Sequence, residues 1–135
     1  MWALPLGGDT YEIRNVPFYA YGLNFLDVVE AASVSTDLDP SIRRVVGRSG
    51  HRTLRVIFRK STPEVKRVPL LQSLNEIGAS FERATSTLFA IDVEDSGDYQ
   101  AVCDRLFAFE NEGLLAYETC EARLEGSFDD LPQKP

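Results

Sequence analysis

The chain holds a single histidine, His51, in the turn-rich run Arg48-Ser49-Gly50-His51-Arg52. A histidine can act as a general base when an acid orients it and a proton donor lies within reach, and linear spacing shows neither. One histidine without further ligands does not make a zinc site, so no metal is expected. The favoured reading of His51 is a hydrogen-bonded turn residue that pins the strand behind it. The flanking cations are expected to lower its pKa. Ser49 is not on a nucleophile elbow, because the GxSxG pattern is absent. Gly47, Ser49 and Gly50 beside Arg48 and Arg52 have the composition of an anion-binding nest. Glycines between strands need no ligand to explain them, so the nest is a weak signal.

Two other clusters carry chemistry. Asp92, Glu94, Asp95 and Asp98 gather at a strand-to-helix junction. They lack the ordered spacing of a calcium loop, and capping of the following helix is the favoured role. Phe18, Tyr19 and Tyr21 precede Gly22 and could line a pocket or stack on bases. Packing at a joint between two halves is preferred. No glycine-rich dinucleotide fingerprint and no Walker lysine motif occurs, and neither a catalytic residue nor a cofactor is expected.

The elements that must position these residues follow from periodicity. Short strands are predicted at Trp2 to Leu6, Tyr11 to Arg14, Asp27 to Ala31 and Ile42 to Val46, separated by turn signals such as Gly7-Gly8-Asp9. They suggest a small antiparallel sheet or partial barrel. From Thr53 to Arg59 the pattern alternates, with Leu54, Val56 and Phe58 on one face and Thr53, Arg55, Ile57 and Arg59 on the other. A helix follows, with Leu70, Leu71, Leu74 and Ile77 at helical spacing and Gly78 at its end; Pro69 fits if it lies in the first turn. Strands at Ser80 to Thr85 and Leu88 to Glu94, a helix through Tyr99, Val102, Leu106 and Phe109, and a strand from Leu114 to Leu124 complete the order. The fold class is therefore α+β. An N-terminal β-rich half spans 1–50, a ferredoxin-like βαββαβ half spans 51–126, and a tail spans 127–135. The N-terminal strands are expected to cover part of the second sheet's mixed face, or one of its edges.

Composition narrows the class further. The 135 residues are 44% hydrophobic and 26% charged, which is ordinary for a packed domain. No stretch approaches a membrane span, and Met1 to Leu6 lacks the basic and apolar regions of a signal peptide, so a cytoplasmic location is expected and no membrane partner. Cys103 and Cys120 show no metal-binding spacing and are read as small core residues. The net charge of −7 disfavours nucleic acid as a partner. That charge is uneven: −5 over residues 1–40, +8 over 41–68 and −10 over 69–135. Surface pairing of opposite signs is the favoured explanation; steering of an oppositely charged partner is the sharper one.

The runs Tyr11-x-Ile13-x-Asn15-x-Pro17-Phe18-Tyr19-Ala20-Tyr21-Gly22, Asp27-Val28-Val29 and Arg48-Ser49-Gly50-His51-x-Thr53-x-Arg55-Val56 resemble a bacterial family catalogued only as a domain of unknown function. The resemblance implies a further strand-like segment before the position of Trp2 in most members. The resemblance implies a fold grouping and no activity. Its motif residues here, Asn15, Tyr21, Asp27, Ser49, His51 and Arg55, together with Tyr19, form the expected binding set.

Three functions are consistent with these features. The first is a non-enzymatic interaction module, such as an immunity-type antitoxin whose acidic face covers a basic protein. The alternative is a small-molecule sensor, with a pocket lined by Phe18, Tyr19 and Tyr21 in which His51 and Arg55 together grip an anion. The third is an enzyme using His51 as base. Self-association stays open as a way to protect an exposed sheet edge.

Overall fold

A computed structural model describes residues 3–18, 21–32 and 41–120. Tyr19, Trp2 and the expected tail lie outside the described residues. Within them the chain forms two four-stranded antiparallel sheets and two α-helices.

The first sheet is an open meander of β1 (Ala3–Gly7), β2 (Thr10–Ile13), β3 (Val28–Ala32) and β4 (Ser41–Gly47), paired in that order. The described strands form an antiparallel sheet that does not close into a barrel. Register shifts between Val28 and Val29 and between Glu30 and Ala31 bend the β3–β4 ladder. Ile13, Val29 and Ala31 are buried on one face.

The second half runs β5 (Arg52–Phe58), α1 (Glu64–Gln72), a short 3-10 turn (Asn75–Ile77), β6 (Ala79–Arg83), β7 (Leu88–Val93), α2 (Tyr99–Asn111) and β8 (Leu115–Thr119). Its sheet order is β6-β7-β5-β8, antiparallel throughout. The central strands are the most apolar ones, as burial on both faces requires. Leu54, Val56, Phe58, Phe89, Ile91 and Val93 pack against Leu71, Leu74, Val102 and Leu106 of the helical layer in one core. Phe58 and Phe89 meet edge to face at 5.5 Å. Cys120 is buried, and Cys103 packs partly buried against this core.

Pro69 departs from its expected place. It lies inside α1, five residues after Glu64, and not in the first turn. The amide it lacks would have bonded the carbonyl of Val65, a residue on the exposed side of the helix, where water can satisfy that oxygen. On the opposite side Arg67 is buried, its Nε donating to the Thr62 carbonyl at 3.1 Å and one terminal nitrogen to the Ser86 carbonyl at 2.8 Å. These bonds tie α1 to the loop before it and to the turn between β6 and β7.

Cross-strand pairing defines the other face of the second sheet. Thr53 stands opposite Asp92, Arg55 opposite Ala90 and Glu118, and Ile57 opposite Leu88 and Ala116. The described residues of the connection from β2 to β3, 14–18 and 21–27, contact the second sheet. Val16 donates its amide to Glu82 of β6 at 2.8 Å, and Gly22 donates to the Cys120 carbonyl at 2.8 Å. The cover was expected from the N-terminal strands; these contacts are made instead by the connection between β2 and β3.

Candidate functional site

Among the described residues, two cavities open beside the β2–β3 connection. The first, of about 370 Å³, is walled by Phe18, Tyr21, Arg55, Ile57, Leu88 and Glu118. Arg55 is carried by the central strand β5 and is 4% exposed. Its Nε donates to Glu118 of the neighbouring strand at 3.1 Å. Tyr21 lies over the guanidinium, 4.4 Å from ring centre to carbon, and its hydroxyl donates to both Glu118 oxygens at 3.1 and 3.0 Å. Both terminal nitrogens of Arg55 are buried with no hydrogen-bond partner among the described residues. A buried cation in that condition is costly, because it has lost water and gained only part of what replaces it.

The second cavity, of about 410 Å³, is lined by Asn24, Asp27, Arg48, Gly50, His51 and Arg52. Asp27 is 0% exposed and fully occupied. It accepts the amides of Asn24 and Ser49 at 3.0 and 2.9 Å, the Ser49 hydroxyl at 3.2 Å and Arg48 at 3.3 Å. Ser49 also donates its hydroxyl to the Phe25 carbonyl at 2.6 Å. Leu26, just before Asp27, takes a left-handed φ of 66°, which a leucine adopts at a cost of about 1–2 kcal/mol. The hydrogen bond from its amide to Ile13 at 2.7 Å holds it there.

His51 is oriented by an acid after all. Its Nδ1 lies 2.9 Å from both oxygens of Asp92 on β7, and Phe25 meets the ring edge-on at 5.3 Å. Ionised, the carboxylate only accepts, so it selects the Nδ1–H tautomer and leaves Nε2 as the acceptor. The imidazole is 17% exposed, and Nε2 has no hydrogen-bond partner among the described residues. Burial pushes the Asp92 carboxyl above its usual value; the hydrogen bond and charge of His51 oppose this, and Glu94 and Glu82 add to it. The two flanking cations are engaged elsewhere. Arg48 donates to the Gly22 carbonyl at 2.7 Å, and Arg52 lies 3.5 Å over the Tyr99 ring. Of the acidic cluster only Asp98 is seen capping, accepting the Ala101 amide at 3.0 Å, while Asp92 serves His51.

The expected binding set is therefore divided. Tyr21 and Arg55 share the first cavity; Asp27 and His51 line the second, with Ser49 bonded to Asp27 behind it. Asn15 lines neither and donates to the Val16 carbonyl at 3.2 Å. His51 and Arg55 line different cavities, His51 beside Asp92 and Arg55 beside Glu118. The sequence reading missed Glu118 and the pairing of Asp92 with His51. Both lie on strands whose partners are distant in sequence.

A family model described as a domain of unknown function, DUF4265, matches residues 1–117. The chain belongs to the DUF4265 family. No curated protein matches the chain. It is similar to a solved structure described as a hypothetical protein from Neisseria gonorrhoeae, with a TM-score of 0.71 and 15% identity over 85% of this chain and 77% of that one. At that identity the likeness concerns the fold alone. The fold of this DUF4265 chain includes no helix, among the described residues, long and apolar enough to cross a membrane.

Proposed function

We propose that this protein is a binding domain for a small anionic molecule, taken up in the cavity beneath Tyr21. One observation carries the reading: Arg55 is buried on a rigid central strand with both terminal nitrogens unsatisfied. Stacking under Tyr21 returns about 0.5–2 kcal/mol to such a cation, short of the several kcal/mol that its dehydration costs. An anion that enters the adjacent cavity and displaces the Tyr21 ring supplies the missing acceptors. The test is a thermal-shift and calorimetric titration of the intact chain with small anions, alongside Arg55→Met. Binding by the wild type and none by the variant is the expected result. No stabilisation by any anion sinks the reading, since a ligand that favours the native state must raise its stability.

A second reading is favoured by the His51–Asp92 pair. An imidazole held through Nδ1 by a carboxylate, on a residue that lines a cavity, has the arrangement of a general base. The catalytic role rests on a proton donor in that cavity, because the Ser49 hydroxyl is already committed to Phe25 and Asp27. Turnover lost in both His51→Gln and Asp92→Asn would support it. Activity unaltered by either change ends it.

The interaction-module reading, with an immunity-type antitoxin as its sharpest form, has a weaker footing. Leu4 and Leu6 on edge strand β1, and Ile42 and Val46 on edge strand β4, are exposed apolar side chains that a protein partner would cover. Native co-purification that recovers no partner counts against it.

A further inference from the structure

We propose that the ligand of the Arg55 cavity is a monocarboxylate with an apolar body, and that Glu118 is its built-in competitor. This rests on the anion-binding reading above and specifies its chemistry.

The site already displays how it holds a carboxylate. Glu118 receives the Arg55 Nε at 3.1 Å and the Tyr21 hydroxyl at both of its oxygens. What remains vacant on Arg55 is its pair of terminal nitrogens. A guanidinium presents its donors as a planar fork that matches the two oxygens of a carboxylate. Glu118 uses one tine of that fork and leaves the rest.

Glu118 is also suited to yielding. Its side chain is 47% exposed on edge strand β8, so it can turn to water at little desolvation cost. Arg55 cannot follow, being fixed on the central strand. A ligand carboxylate that takes the terminal nitrogens competes with Glu118 for the same cation. Because the Tyr21 ring lies over these buried nitrogens, entry also requires the ring to slide aside.

The body of the ligand follows from the remaining walls. Phe18, Ile57, Leu88 and Ala116 offer apolar surface, and Ile57 is more than half exposed there. Covering it rewards an aliphatic or aromatic group. A phosphate dianion is disfavoured. Arg55 is the one cation among the described lining residues, and Glu118 adds a negative charge beside it.

The test uses the intact chain, titrated calorimetrically with phenylacetate, hexanoate, the neutral isostere phenylacetamide and inorganic phosphate. Phenylacetate or hexanoate should bind and the amide should not. Glu118→Gln removes the competing charge and keeps the side chain's shape; carboxylate affinity should rise about tenfold. If that variant does not fold, Glu118→Asp withdraws the carboxylate from Nε and should show the same direction. Phosphate binding without carboxylate binding overturns the ligand class and leaves the anion reading standing. Carboxylate binding that is unchanged or weaker in the Glu118 variants overturns the competitor. Binding of no anion overturns both readings.

Discussion

The Tyr21 ring centre stands 4.4 Å from the Arg55 guanidinium carbon, and the same phenol bonds the carboxylate that Arg55 holds. Tyr21 belongs to the β2–β3 connection and Arg55 to the central strand of the other sheet, so this stack joins the two parts of the molecule. Removing the ring in Tyr21→Ala should cost about 1–2 kcal/mol, through the lost cation–π contact and buried area. Tyr21→Phe keeps the ring and loses only a bond to an exposed carboxylate, so it should cost about 0.5 kcal/mol. Urea unfolding checks both. Equal losses would show that the hydroxyl, not the stack, is the joint.

Asp27 closes the same connection against the Arg48-Ser49 turn. Asp27→Ala leaves the part-buried amides of Asn24 and Ser49 without acceptors and should cost about 2 kcal/mol. Asp27→Asn keeps one acceptor oxygen and should cost less. Denaturant midpoints compare the two variants directly, and a neutral Asp27→Ala removes this cluster from any structural role.

The pH dependence of stability should expose Asp92. Its folded-state pKa is raised above the ordinary 3.8, chiefly by burial. A folded state that binds its proton more tightly than the unfolded chain gains stability that is fully present below 3.8 and is lost as pH rises through the folded value. Wild-type stability minus that of Asp92→Asn should therefore fall as pH is raised across the acid range, then level off. Stability curves of the two proteins measured side by side decide it, and a difference that grows with pH contradicts the assignment.

Gly78 separates backbone strain from open space. It has φ 90°, and a Cβ there would collide with the Gly97 backbone, where the turn before β6 meets the turn before α2. Gly78→Ala should cost about 3 kcal/mol, combining an unfavourable φ with a clash that backbone cannot yield to. Gly113, with φ 77° and nothing near its would-be Cβ, is the control; Gly113→Ala should cost about 1 kcal/mol. Thermal unfolding of both variants measures the difference between conformation alone and conformation plus contact.

Much of the architecture was legible locally. The alternation of Leu54, Val56 and Phe58 marked β5 and its core face, and the spacing of Val102 and Leu106 marked the face of α2 that the core receives. Asp98 was readable as a cap because capping acts over three residues. Pro69 was misplaced because its tolerance depends on which side of the helix meets solvent. The site was less legible. Tyr21, Asp27, His51 and Arg55 could be singled out by residue type and motif, yet nothing in their spacing showed that they divide between two cavities.

By itself the sequence determined the α+β class, the order of strands and helices, and which residues have the chemistry to bind. These follow from side-chain periodicity, turn residues and caps, whose effects reach only a few positions along the chain. Only the tertiary structure decided that Asp92 orients His51, that Glu118 meets Arg55 and that two terminal nitrogens stay unsatisfied under Tyr21. Strand pairing sets those neighbours across 41 and 63 residues of chain, and a register shift by one residue would turn each partner to the opposite face.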